Sequence, residues 1–302
     1  SQGPPMNQRR ATFVGLAMPG GAFAAIGGFD PSGDGSPGSP VRTVDEFDGK
    51  AWRLLPELPV PFDNPRNAAT LPNGQLLVLS ARGVDGLSGI VPNAARTAWI
   101  PLGVQFHPAP VQDFTVTPVA GDRVLIAGGA TFNGALPATT ALLRNLGLLT
   151  PFKGWTSTSP LHEPRWFQQS VRLGDGRVLV VGGEAANVAR PPAASATEIY
   201  DPATGLWTAA GDLPIGVSIT ASVRLADGRV LVAGGSGSRG PVADSALFDP
   251  RNGTWSLTGR LNEGRTSHQL LALPDGRAFA IGGFGNGRSL STLGVWDPRT
   301  GG

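Results

Sequence analysis

The chain of 302 residues contains no cysteine, which excludes disulfides, thiolate catalysis and cysteine-ligated metals together. Lysine is nearly missing too: of 24 basic residues only Lys50 and Lys153 are lysines, an arginine bias that points to a GC-rich bacterial genome. Against 22 acidic residues the formal net charge is only +2 and no basic run occurs, so a nucleic-acid partner is not expected. Every apolar stretch falls far short of the ~18 residues that a spanning helix needs, so no membrane insertion is expected. No signal peptide is legible, and residues 1–5 read as a processed start.

What the chain has in excess is glycine (44) and proline (28), and these recur at fixed phase beside apolar runs, which marks turns and not disorder. A phrase of Asp-Gly-Arg, a short apolar run and Gly-Gly appears at Asp175–Gly183, Asp227–Gly235 and Asp275–Gly283. A copy without the first glycine spans Asp122–Gly129, an eroded one ends at Gly27-Gly28, and a sixth, Asn73–Ala81, has lost the glycine pair. The pairs start at 27, 80, 128, 182, 234 and 282, a period of 48 to 54 residues. Such a period means an array of similar units.

Each unit predicts four short strands. A first strand meets the second through a tight Asp-Gly-Arg turn, where glycine supplies the positive φ. The second strand alternates little and is expected to be buried on both faces. A third carries aromatic-Asp-Pro (Tyr200-Asp201-Pro202, Phe248-Asp249-Pro250, Trp296-Asp297-Pro298), and six residues after the Asp a fourth carries Trp207 or Trp255. Trp52 and Trp155 hold the same place in looser copies, and Phe106 is read as the substitute in the second.

This order of glycine pair, aromatic-Asp-Pro, Gly turn and tryptophan resembles the kelch family over essentially the whole chain. The resemblance implies an all-β, six-bladed β-propeller with four antiparallel strands per blade. One domain over residues 1–302 is expected, with blades near 10–60, 61–108, 109–160, 161–213, 214–261 and 262–302 plus 1–9. The last unit stops one residue before its tryptophan is due, so residues 1–5 are expected beside the sixth blade, closing the ring. A monomer is expected, and the likeness to bacterial propellers implies a periplasmic or secreted protein.

Function is expected on the loops of one rim. Those preceding the first strands carry Arg10, Arg66, Arg165 and Arg265, and those following the glycine pairs carry Arg82, Arg190, Arg239 and Arg288. Guanidinium forks converging there would suit an acidic peptide or anionic saccharide. The alternative is that the first four bond loop carbonyls and serve each blade. Trp166 lies outside the repeat, and with Phe29, Phe132 and Phe284 would form an aromatic wall or simply pack on Phe167.

His268 and Glu163 are the candidate proton carriers of a second reading, a cofactor-free sugar isomerase or mutarotase with Arg165 and Arg265 clamping a carboxylate. A third reading is a scaffold without a small ligand. His107, His162 and His268 share no metal-like spacing, and Asp30–Gly35 has Val41 where a calcium loop needs Glu, so no metal and no cofactor is expected. Copper radical oxidases of the same family need a cysteine-linked tyrosine, and Tyr200 is the single tyrosine.

Overall fold

A computed structural model describes residues 6–8, 10, 13–30, 39–59, 68–71, 73–83, 86–102, 111–121, 123–131, 140–143, 155–184, 195–290 and 292–300. The described residues are all-β apart from one 3-10 turn at Pro19–Gly21. Five sheets have four antiparallel strands in chain order. The first comprises Val14–Ala17, Phe23–Ile26, Val44–Phe47 and Trp52–Leu55, and the second Ala68–Thr70, Leu76–Gly83, Gly86–Pro92 and Trp99–Pro101. The third comprises Thr115–Pro118, Val124–Ala127, Thr140–Leu143 and Trp155–Ser157. The fourth holds Gln169–Arg172, Val178–Val181, Ala196–Asp201 and Leu206–Asp212, and the fifth Ala221–Arg224, Val230–Ala233, Ser245–Asp249 and Thr254–Thr258.

The sixth repeat corrects the expectation of six equal blades. It forms three strands, Gln269–Ala272, Ala278–Ile281 and Leu293–Trp296, and no described strand lies fourth. After Asp297 the described residues form a turn. Residues 1–5, expected to complete it, lie outside the described residues.

The chain divides into two compact units, the first of residues 1–111, 121–124 and 143–156, the second of 112–120, 125–142 and 157–302. In the first, Val14, Ala24, Ile26, Val44, Leu55 and Leu58 pack with Ala68, Leu76 and Val78. In the second, Val178–Val181 and Val230–Ala233 are fully buried, as non-alternating runs should be. Leu179, Val181 and Ile199 pack on Val230, Val232 and Phe248, so successive sheets meet face to face.

The turns explain the Asp-Gly-Arg phrase further. Asp175 Oδ1 accepts the Arg177 amide at 3.0 Å and its Oδ2 accepts Arg177 Nε at 2.7 Å, with Gly176 at φ +93. Asp227–Arg229 and Asp275–Arg277 repeat the pair, and Asp249–Arg251 and Asp297–Arg299 do so at the other hairpin. Five arginines, Arg177, Arg229, Arg251, Arg277 and Arg299, are thus bound to the acid two residues earlier, in exposed pairs that add little to stability.

The glycine pair is a staple between neighbouring sheets. Gly235 N–H donates to the Arg265 carbonyl of the next sheet at 2.8 Å, as Gly129 does to Arg165 and Gly183 to Val217. A Cβ on Gly234 (φ +62) would stand 2.7 Å from that carbonyl oxygen and 2.7 Å from His268 Cε1. Gly228, in the Asp-Gly-Arg turn at φ +90, has open space around it. Gly228→Ala therefore meets only the strain of an L side chain at positive φ, about 1–2 kcal/mol, whereas Gly234→Ala adds overpacking to that strain and should cost about 3 kcal/mol or more. Urea midpoints of the two variants measure the difference; equal midpoints would remove the staple.

Tryptophans zip the outer strands. Tyr200 faces Trp207, Phe248 faces Trp255 and Phe47 faces Trp52 across the third and fourth strands, each pair with ring centroids 5.1 Å apart. The second sheet corrects a sequence assignment: its tryptophan is Trp99, not Phe106, which lies outside the described residues. Trp99 sits opposite Pro92, and its indole donates to the Pro56 carbonyl at 2.8 Å, as Trp207 donates to Ser159 at 3.0 Å. Having lost its glycine pair, that repeat lets the second strand run on from Leu76 to Gly83, and it pairs with Gly86–Pro92.

Candidate functional site

The arginines before the first strands point into their own sheets. Arg165, with a fully buried side chain, donates Nη1 to the Gly182 and Ala196 carbonyls at 3.3 and 2.7 Å and Nη2 to Glu198 Oε1 at 3.3 Å. Glu198, itself buried, also accepts the amides of His162 and Glu163 at 2.8 and 3.2 Å and contacts His162 Nδ1 at 2.8 Å. Burial pulls the Arg165 pKa below its usual value while Glu198 and Glu163 oppose the fall, and the guanidinium stays charged.

In the first unit Arg10 repeats the scheme, donating to the Gly27 and Thr43 carbonyls at 3.0 and 2.9 Å and to Asp45 at 2.6 Å. Asn7 caps Asp45 at 2.7 Å, the place His162 takes in the fourth sheet. Arg265 bonds the Gly282 and Thr292 carbonyls at 3.0 and 3.2 Å, and because Gly294 stands where Glu198 would be, Glu263 supplies the carboxylate at 3.4 Å. These three guanidiniums are committed to carbonyls, the structural alternative set out above. Arg66 and Arg190 lie outside the described residues, as does the side chain of Arg82.

His268 is 3 % exposed and wedged between the glycine staples: its ring lies on Gly234 of the fifth sheet, and its Cβ would stand 2.8 Å from one on Gly283. Among the described residues its polar neighbour is the Ala233 backbone, which favours the charged ring only weakly. Burial, aided by the charge of Arg265, pulls its pKa down to about 3. A neutral imidazole closed to solvent has no route to a substrate proton. Glu163 is half exposed, 3.6 Å from Arg165 Nη2, whereas His268 is buried against the fifth sheet. The two candidates do not form one acid–base site. Trp166 stacks on Phe167 with centroids 4.6 Å apart, bonds the backbone of Glu184, and has a buried indole N–H without a partner. Phe29 bridges to Pro40 in the first unit, and Phe132 and His107 lie outside the described residues. Among the described residues no three His, Asp or Glu gather as metal ligands.

What remains at the surface is a pair of hairpins after the glycine pairs of the fifth and sixth sheets, Ser236-Gly237 with Gly240-Pro241 and Phe284-Gly285 with Arg288-Ser289. Both press on the segment at Gly264: a Cβ there would lie 2.5 Å from the Pro241 carbonyl, and one on Gly285 would lie 2.3 Å from the Gly264 carbonyl. The hairpins are thus neighbours on a rigid base. Arg239 tips the first and is exposed; on the second Phe284 is 46 % exposed beside exposed Arg288. Glu263 lies 3.6 Å from Arg288 and also holds Arg265, so two guanidiniums share one carboxylate, and with exposed Arg239 the two hairpins carry an excess of positive charge. Sequence reasoning named Arg239, Arg288 and Phe284 but missed the hairpin joining the last two. Its signal was Asn286-Gly287, with φ of +52 and +74, the residues of a two-residue turn.

No protein-family model matches the chain. It is 29 % identical over 120 residues to the Kelch-like protein terF of Aspergillus terreus, a stretch covering 39 % of this chain and 26 % of that protein. The chain therefore matches only about a quarter of that relative's length. Repeated glycine staples, aromatic–tryptophan pairs opposite one another and this partial match together make the chain similar to kelch-repeat β-propeller proteins.

Proposed function

We propose that the chain is a protein-binding module, the usual use of kelch-type propellers, and that it recognises its partner with the twin hairpins of the fifth and sixth sheets. The observation that supports this most is the contrast in arginine use. The described arginines at repeat phase, Arg10, Arg165 and Arg265, are buried, whereas Arg239 and Arg288 stand exposed with an exposed phenylalanine between neighbouring turns. Aromatic and arginine side chains on rigid supports are the groups that dominate binding energy at protein interfaces. The excess positive charge suits an acidic segment that also carries an apolar residue to cover Phe284.

The test is panning of a random twelve-residue peptide library against the protein and against the Phe284→Ala/Arg288→Ala double variant. An acidic consensus with an apolar residue, enriched on the first and at least tenfold weaker on the second, is expected. A consensus bound equally by both, or no enrichment, would move recognition elsewhere.

A further inference from the structure

We infer that the sixth sheet carries a receptor for a carboxylate that the chain does not itself supply, in the slot beside Arg265 that Gly294 leaves open. This site is separate from the twin hairpins and does not depend on them.

The other sheets show what the slot is shaped to hold. Asp45, Glu198 and Gly294 sit on third strands opposite Ala25, Val180 and Ala280, each two residues before its glycine pair. In the first sheet Asp45 Oδ2 meets Arg10 Nη2 at 2.6 Å, and in the fourth Glu198 Oε1 meets Arg165 Nη2 at 3.3 Å. In the fifth both members are gone together, with Val217 for the arginine and Ala246 for the acid. The sixth keeps the arginine and loses the acid.

The donors that surround the acid elsewhere are still in place. Arg265 spends Nη1 on the Gly282 and Thr292 carbonyls, as Arg165 does on Gly182 and Ala196. Its Nη2 meets Thr292 Oγ1 at 3.1 Å, as Arg10 Nη2 meets Thr43 Oγ1 at 2.8 Å beside Asp45. In the fourth sheet Glu198 also accepts the amides of His162 and Glu163. The corresponding amides of Asn262 and Glu263 have no acceptor among the described residues, and neither does the buried Nε of Arg265.

There is room for the missing group. A Cβ on Gly294 would meet nothing nearer than the Ala280 Cβ at 3.6 Å, an ordinary contact, and would stand 3.9 Å from Arg265 Nη2. Asn262 and Thr292 are exposed, which places the slot close to the surface. Glu263, 3.4 Å from Arg265, need not exclude a second acid: its counterpart Glu163 lies 3.6 Å from Arg165 with Glu198 in place. A buried guanidinium beside two peptide N–H groups selects a planar anion with two oxygens. The ligand is therefore a carboxylate, either an acidic side chain of a partner or a small free acid.

Sodium formate is the probe, titrated into the whole protein against sodium chloride at equal ionic strength. Formate should raise the melting temperature by about 2–4 °C, half-saturating at roughly 1–30 mM as fits so small a ligand. The Arg265 Nε–H resonance should shift over the same range. Gly294→Glu supplies the acid internally, so it should melt above Gly294→Gln, equal in size but uncharged, and should lose the formate response. N-acetylglutamate amide forms the second arm. A response at least as tight as that to formate assigns the slot to a partner's side chain, and a response to formate alone assigns it to a free acid. No difference between formate and chloride, a formate effect that Gly294→Glu retains, or Gly294→Glu melting below Gly294→Gln would overturn the inference.

Discussion

Replacing Arg165 by alanine should cost about 3–5 kcal/mol of stability, the range for removing one partner of a buried ion pair. Glu198 would be left at 2–3 % exposure with only amide donors and His162 around it. The Gly182 and Ala196 carbonyls would lose their shared donor as well. Set against a total of about 5–15 kcal/mol for a folded protein, this single change approaches loss of the native state. Lysine should not rescue it, because a point ammonium cannot serve two carbonyls and a carboxylate that a planar fork reaches together. Adding Glu198→Gln should recover part of the loss, and a double-mutant cycle by urea unfolding measures the coupling. If Arg165→Ala unfolded at the parent midpoint, the guanidinium would have to be free for another task.

The second large effect is on pH dependence. The folded protein holds His268 neutral down to about pH 3, while the unfolded chain takes up a proton near 6.5. Between these values the unfolded state binds the extra proton, so stability falls as pH drops, by about 1.4 kcal/mol per unit. Above 6.5 the residue contributes no pH dependence. Arg265 is the charged group beside it and remains charged throughout. Gln168 occupies the corresponding place in the fourth sheet and donates Nε2–H to the Ala127 carbonyl at 2.7 Å, so His268→Gln has a ready geometry. The variant should gain on the parent by about 3 kcal/mol more at pH 4 than at pH 8, the other acid-sensitive groups cancelling in the comparison. A constant difference across that range would mean that the imidazole reaches solvent or a proton partner.

The fold was legible because its signals are local. Apolar runs, Asp-Gly-Arg turns and glycine pairs each dictate backbone geometry within a few residues, and all recur. Trp99 escaped because its repeat writes Pro92-Asn93 for aromatic-Asp, although Asn93 does the same work: its Oδ1 accepts the Thr97 amide at 2.8 Å, six residues separate it from Trp99, and the hairpin closes alike. The site was less legible. Phase places an arginine before a first strand but says nothing of its direction, which depends on a carboxylate some 30 residues later, Asp45 for Arg10 and Glu198 for Arg165. His268 looked like a proton carrier for the same reason: only the packed glycines of two sheets reveal that its ring has no exit.

The division between arginines that hold the sheets and arginines that face a partner is tested most directly by unfolding Arg165→Ala and Arg288→Ala in urea side by side. The first should lose several kcal/mol, and the second, an exposed side chain, should stay within about 0.5 kcal/mol of the parent. Equal losses, or a larger one for Arg288→Ala, would contradict it.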